Sequence, residues 1–551
     1  MSRSASRTPG FFELFTPKLV STLREGYGLP ELRRDAVAGL TVAIVALPLS
    51  MAIAIAAGVT PDRGLYTAIV GGFLVSALGG SRHQIGGPAG AFIVLIAAIV
   101  ERQGYDGLAL ATIMAGLGML ALGYLRLGTY IRFIPYPVTV GFTAGIATII
   151  FASQLKELVG LNLAKEPAAL IPKLEALWQA APSVTPAAVG LSVGSILVIA
   201  ILRRVRPHWP GFLIAVVLAS LVAIVFKLDV ATIGSRFGGV PSALPAPHLP
   251  ALSLERILAL LPDAAAIMLL GSIESLLSAM VADGMSGRRH RSDCELVAQG
   301  FANIGAALFG GFCVTGTIAR TATNVRAGAH GPLAGIFHAL YLLVFMLVAA
   351  PLMSLVPLAA LGAVLAVVCW NMADKHEFLA LSRASVGDAL VLFATFLLTV
   401  FVDLTTGIVT GTMLASLLFM HRMAHEVEIA GIEQAPLYDE AEQLHKGVAV
   451  FRITGPFFFG STATAGSTFD RIGEHPKRFI LDFAAVPFVD STGASTLAAF
   501  VTKLRKRGTE VIFSAVPDSV RRSLDAQHVD RAGVIYMPDL ASALAIGQPA
   551  E

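Results

Sequence analysis

Charge is the scarcest property of this sequence. Only 14% of its 551 residues are Asp, Glu, Lys or Arg, against about 25% in an ordinary soluble domain, while 55% are hydrophobic. A soluble fold of this length could not hide so much apolar surface, so most of the chain is read as membrane-embedded. Cysteine is nearly absent. Cys294, Cys313 and Cys369 are odd in number and lie in or beside apolar runs, with no CxxC pair or histidine spacing for a metal, which makes them packing residues. A continuous basic face is missing too. The formal net charge is +3 with cations scattered among acids, which argues against nucleic acid as a partner. No Ser-His-Asp constellation, metal motif or nucleotide loop stands out, so neither an enzyme nor a bound cofactor is expected. The first 34 residues carry Arg3, Arg7, Lys18, Arg24, Arg33 and Arg34 but no short apolar core with a cleavage site, and read as a retained cytoplasmic tail.

What the chain does have is long apolar runs. About 20 consecutive apolar residues cross a bilayer as a helix. Spans are expected near 35–58, 64–80, 87–101, 107–124, 136–154, 185–203 and 211–226, and, after a stretch holding Pro241, Pro245, Pro247 and Pro250, near 257–282, 295–311, 319–329, 331–355, 358–371, 387–403 and 405–421. That is fourteen spans in two halves of seven, a transport domain over 35–425 with repeats at 35–226 and 257–421. Arg82, Arg126 with Arg132, Arg203, Arg288, Lys375 and Arg422 fall at the ends of even-numbered spans. Because cytoplasmic loops accumulate Lys and Arg, this places both termini in the cytoplasm of a plasma (inner) membrane protein. An odd number of spans per half turns the second half upside down relative to the first. The third span of each half follows a glycine-rich turn, Gly86-Gly87-Pro88 in one and Gly316 to Arg320 in the other. Paired breaks of this kind point to inverted repeats with a binding site between broken helices.

From about residue 435 to 548 the pattern changes. Gly447 to Ile453, Arg478 to Phe483 and Glu510 to Ala515 read as strands, and Thr492 to Arg507 and Asp518 to Gln527 as helices, giving a small α/β domain.

Two ionisable residues interrupt the apolar runs. Glu274 is the sole charge between Asp263 and Asp283. A charge at that depth costs about 2.5 to 3.5 kcal/mol on insertion scales, so it faces a polar cavity or forms an internal ion pair. The first reading makes it a protonatable coupling site. Arg320 lies at the start of the short tenth span, where a helix N-terminus exposes unpaired N–H groups carrying about half a positive charge. A guanidinium beside them makes an anion site; the alternative is a pair with Glu274. In the soluble domain, Asp490, Ser491 and Thr492 stand at a helix start, as N-caps or as accessible sites for phosphorylation at Ser491 and Thr492.

Residues 47–91, LPLSMAIAIAAGVTPDRGLYTAIVGGFLVSALGGSRHQIGGPAGA, resemble the signature of the SulP family of sulfate-permease relatives. Residues 272–329 are similar to the family's second signature, and the C-terminal part is similar to a STAS domain with its DSTG turn. The resemblance implies fourteen spans in a seven-plus-seven inverted repeat with core and gate domains, a homodimer, and a small anion held between spans three and ten. At matched positions the substrate residues are Pro48 and Ile53 from span one, Gly87, Pro88 and Ala89 before span three, and Thr317, Ile318, Ala319 and Arg320 at span ten; Glu274 is the acid of span eight. Sodium-coupled bicarbonate members use that acid, a hydroxyl one turn later and a hydroxyl at the start of span ten. This chain has Glu274 and Ser278 but Ile318 at the last place, which favours proton coupling or exchange over sodium.

The expected function is therefore secondary transport of sulfate, bicarbonate or a dicarboxylate by alternating access, with a regulatory protein as a further partner at the STAS domain. Two rivals remain. A membrane-anchored STAS signalling scaffold would have no reason to keep costly buried charges, and a nucleobase carrier of similar architecture would lack the STAS tail.

Overall fold

The apolar runs fold as helices because a chain in lipid must satisfy every backbone N–H and C=O internally. The computed structural model describes residues 10–131, 135–163, 167, 169–206, 209–431, 448–462 and 476–546. Arg3, Arg7, Arg132 and, of the expected soluble domain, residues 435–447, 463–475, 547 and 548 lie outside them. Two compact units divide the chain, Met1–Thr412 and Met413–Glu551. The division falls inside the last span rather than after it.

The spans of the first unit are Leu29–Ala56 (span 1), residues 61–78 (span 2), Gly90–Tyr124 (spans 3 and 4), Tyr136–Val159 (5), Pro186–Val205 (6), Gly211–Val225 (7), Leu254–Ser286 (8), Ser292–Leu308 (9), Ile318–Arg326 (10), Leu333–Met353 (11), Leu358–Met372 (12) and Val386–Phe401 (13), and Leu404–His425 (14) begins in it. All the expected spans are present. Spans 3 and 4 run on from each other, 35 residues in all; unbroken, they would be about 50 Å long against a hydrocarbon core of about 30 Å. Gly104, at φ 67° and ψ −175°, interrupts the helix there. Glycine takes that backbone conformation without a Cβ clash.

Spans 1–4 pack with 8–11, and spans 5–7 with 12 and 13. Small residues form the seams, as is usual where no water drives helices together. A Cβ on Gly116 of span 4 would lie 2.8 Å from Gly300 O of span 9. In the other bundle Ser192 of span 6 donates to Ala359 O of span 12 at 3.2 Å.

Two strands of two residues join the halves of the first bundle. β1, Gly86–Gly87, precedes span 3, and β2, Thr315–Gly316, precedes span 10. They pair antiparallel, Gly86 opposite Gly316 and Gly87 opposite Thr315.

The amino-terminal stretch read as a tail is folded where it is described. Helices Phe11–Phe15 and Lys18–Arg24 dock on the ends of spans 2 and 9: Lys18 N donates to Gly79 O at 2.9 Å, Arg291 Nη1 donates to Ser21 Oγ at 3.0 Å, and Arg82 pairs with Glu25. Further on, Asp35 of span 1 accepts from Tyr27 Oη, His330 N and Gly331 N, which fixes the turn between spans 10 and 11.

The second unit contains a five-stranded sheet in the order β3-β4-β5-β6-β7: Glu428–Gly431, Val448–Thr454, Arg478–Ala485, Glu510–Ser514 and Val534–Met537. β3 joins antiparallel and the rest are parallel. The sequence reading missed β3, β7 and the last helix, Leu540–Ala545. Helix Ser491–Lys506 buries Leu497, Val501 and Leu504 in the core with Phe479, Leu481, Phe483 and Phe513 of the sheet. Buried Asp482 of β5 pairs with Arg452 of β4 at 2.7 Å and accepts from Ser514 of β6, tying three strands together.

Candidate functional site

The β1–β2 crossing creates the site. Because span 3 begins directly after one strand and span 10 directly after the other, two helix N-termini open beside the same pair of strands. The first N–H groups of each helix have no partner within the helix, so two positive dipole ends meet there.

Arg320 is buried beneath this crossing, only 1% exposed. Its Nη2 donates to Ser50 Oγ of span 1 at 3.2 Å and to Pro88 O at 3.3 Å. Its Nε and Nη1 are buried without a hydrogen-bond partner. The guanidinium fits against β1 because residue 87 is glycine: a Cβ there would collide with Nη1 and would stand 3.7 Å from Ala68 Cα. Ala68 lies in a π-helical turn of span 2, Thr67–Gly71, a local widening that recurs at functional sites. Among the described residues Arg320 makes no ion pair, with Glu274 or any other acid. An uncompensated buried cation is expensive, and neighbouring donors and helix ends favour a negative occupant.

Span 8 forms the opposite wall. Gly271 O accepts from Thr315 Oγ1 at 3.0 Å, Ser275 Oγ accepts from Gln84 Nε2 at 2.7 Å, and Ser278 Oγ donates to Thr321 Oγ1 at 3.1 Å. These three positions share one helical face with Glu274, whose Oε2 is buried without a hydrogen-bond partner. The acid and the arginine thus belong to spans 8 and 10, which flank the same crossing.

The remaining expected site residues fall into three groups. Pro48, Ile53, Gly87, Pro88 and Ala89 are buried around the crossing, and so is Thr317, whose N–H donates to Ile85 O at 3.0 Å. Ile318 and Ala319 are exposed. Ser491 and Thr492 belong to the second unit, both exposed at the start of their helix, and the cap there is Asp490, which accepts from Gly493 N at 2.7 Å and from Phe459 N at 3.1 Å.

Four supporting residues were not singled out from the sequence: Ser50, Gln84, Glu295 and Thr321. Glu295 of span 9 is fully buried. It accepts from Gly80 N (2.8 Å), Ser81 N (3.0 Å), Gln84 Nε2 (2.8 Å) and Gln299 Nε2 (3.2 Å). Gln84 is therefore clamped between spans 8 and 9 directly before β1.

Comparison with known proteins identifies the family. Residues 32–395 match the model of the Sulfate permease family. The chain belongs to that family. Residues 441–538 match the STAS domain. Among sulfate permease relatives, the chain is 39% identical over 490 residues to "Putative sulfate transporter YvdB" of Bacillus subtilis, covering 89% of this chain and 92% of the relative. It is 31% identical over 520 residues to "Bicarbonate transporter BicA" of Synechocystis, covering 91% of each. The solved transmembrane domain of a cyanobacterial BicA superposes with a TM-score of 0.64 at 32% identity, over 69% of this chain and 98% of that one. The structure of SLC26A9 superposes with a TM-score of 0.82 over 96% of this chain and 91% of that one; at 18% identity that likeness concerns the fold. The fold is thus the family's fourteen-span inverted repeat, core and gate, followed by a STAS domain.

Proposed function

We propose that this protein is a secondary active transporter of a small oxyanion, sulfate, bicarbonate or a dicarboxylate, working by alternating access. The observation that carries the reading is Arg320: a guanidinium buried at the junction of two helix N-termini, with two donors unpaired and no acid beside it. Such a group binds an anion through its charge, its N–H groups and the aligned helix ends together. The names of the relatives, a sulfate and a bicarbonate transporter, support the same ligand class.

Glu274 gives the coupling. It is an acid on the wall facing the crossing with one oxygen unpartnered, so a proton taken up there offsets the charge of an entering anion. Where the sodium-coupled pattern needs a hydroxyl, Ile318 stands with an apolar side chain, 39% exposed, which favours a proton or exchange over sodium. Both termini face the cytoplasm in this reading, the transporter is a homodimer in the plasma membrane, and the STAS domain, with Ser491 and Thr492 open to phosphorylation, is where a regulatory protein acts.

The test is uptake of labelled sulfate and bicarbonate into proteoliposomes by the wild type and by Arg320→Ala. Loss of uptake with retained folding is expected. Wild-type rates in the variant would remove Arg320 from the mechanism.

A further inference from the structure

Span 10 has two unlike faces. Arg320, Thr321 and Asn324 are buried, whereas Ala319 and Arg326 are exposed and Ala322 and Thr323 between them are half-buried. The accessible set, spaced i, i+3, i+4, i+7, makes one continuous stripe along the helix. It begins beside Arg320 and ends at Arg326. With nine residues span 10 is about 13 Å long, and its stripe carries a hydroxyl and a guanidinium next to a broken stretch of backbone. The break itself is buried in protein, but an exposed guanidinium at the membrane is costly against lipid and faces water or a polar partner instead. The stripe therefore borders water.

A basic cavity stands at its far end. A hollow of about 660 Å³ is lined by Leu29, Pro30, Arg33, Arg34 and Val37 of span 1 and by Ala327, which follows span 10. Arg33, Arg34 and Arg326 are exposed. Among the described residues none of the three is held in a hydrogen bond or ion pair. Glu31 lies within electrostatic reach of Arg34, but its carboxylate accepts from Gly28 N at 2.9 Å. Cations set in a concave wall with apolar sides concentrate field lines and raise the local concentration of anions.

We propose that Arg33 and Arg34 form a cytoplasmic oxyanion site, and that the stripe Arg326-Thr323-Ala322-Ala319 is the water-filled path by which the anion passes between it and Arg320. This rests on the reading of Arg320 as the deep anion site. Along span 1 the two levels, Arg33 and Ser50, are about 25 Å apart, so the cytoplasmic site and the deep site hold the anion at separate depths.

The path can be probed without transport, because the three native cysteines are buried. Thr323→Cys in the full-length protein is treated with an anionic methanethiosulfonate and with its cationic counterpart, alongside Val348→Cys, a residue 77% exposed in the apolar run of span 11. Thr323→Cys is expected to react while Val348→Cys does not, with the anionic reagent preferred by roughly 10-fold at low salt, the lower end of electrostatic focusing. That preference should collapse in Arg33→Gln/Arg34→Gln. Equal silence at positions 323 and 348 would mean that lipid covers the stripe, and an unchanged preference in the double variant would remove the arginines; either result overturns the proposal. Lipid and solute occupants separate by repeating the labelling in vesicles of phosphatidylcholine alone and with phosphatidylglycerol. Slower labelling on adding sulfate in both supports the small-anion site, while slowing by phosphatidylglycerol and not by sulfate assigns the cavity to a lipid headgroup and overturns it. Since labelling needs no turnover, its outcome is separate from that of Arg320→Ala uptake.

Discussion

Gly87 and Arg320 share one pocket: the space a Cβ on residue 87 would fill is occupied by Nη1 of the arginine. The strand and the guanidinium are therefore fitted to each other, and neither residue can be enlarged without moving the other. Gly87→Ala should leave the fold intact but push the guanidinium off Pro88 O and Ser50 Oγ. Anion uptake is expected to fall by about 10-fold or more, as for the loss of one charge-assisted hydrogen bond of 1.5 kcal/mol or above. Wild-type uptake with an unshifted melting temperature would show that the fit is loose.

Glu274→Gln keeps the shape of the span 8 acid and removes its proton exchange. Uptake driven by a pH gradient should be lost while exchange of one anion for another continues. The comparison is made in proteoliposomes with and without an imposed gradient, and unchanged dependence on the gradient would reject the coupling role.

Glu295→Gln tests a supporting role. The carboxylate accepts from two backbone amides and two side-chain amides, and a glutamine there must turn an NH2 towards some of those donors. Leaving buried donors unpaired costs about 1 to 3 kcal/mol each. The purified variant should melt several degrees below the wild type, with uptake reduced in parallel. A variant as stable as the wild type would show that the network is dispensable.

The docked amino-terminal helices carry a pH dependence of known sign. The Arg82 guanidinium holds the Glu25 carboxyl below its ordinary value of 4.5. A depressed acid stabilises the folded contact above its unfolded pKa and loses that contribution as pH falls through the folded one. Protection of residues 11–24 from protease should therefore be full at neutral pH and weaken only in the range below about 4.5. In Glu25→Gln the protection should be weaker at neutral pH and independent of pH. Equal protection in both proteins would exclude the pair as a tether.

The spans, the two halves and the pair Glu274 and Arg320 were legible in the sequence because lipid punishes both unpaired backbone and unpaired charge. An acid alone among 18 apolar or small residues, as Glu274 is, has few innocent explanations. Glu295 gave no such signal, since an acid in the first turn of a helix is ordinary; its burial depends on span 2 ending over it. The strand pair could not be read because Gly86-Gly87 and Thr315-Gly316 are too short and too small to show alternation, and they meet across more than 200 residues, as with Ile85 and Thr321 at 236. The helices before Leu29 were missed for the opposite reason: they are mixed in polarity and are held by contacts from Arg291 and Gly79 that no local pattern announces.

The crossing above Arg320 is built of main chain. Peptide groups of β1 and β2 keep the same spacing whatever side chains flank them, so the two short helices stay registered to each other like jaws on a common pivot. Neighbouring side chains such as Ala89 or Ile318 can then be exchanged while the crossing itself is left as it was.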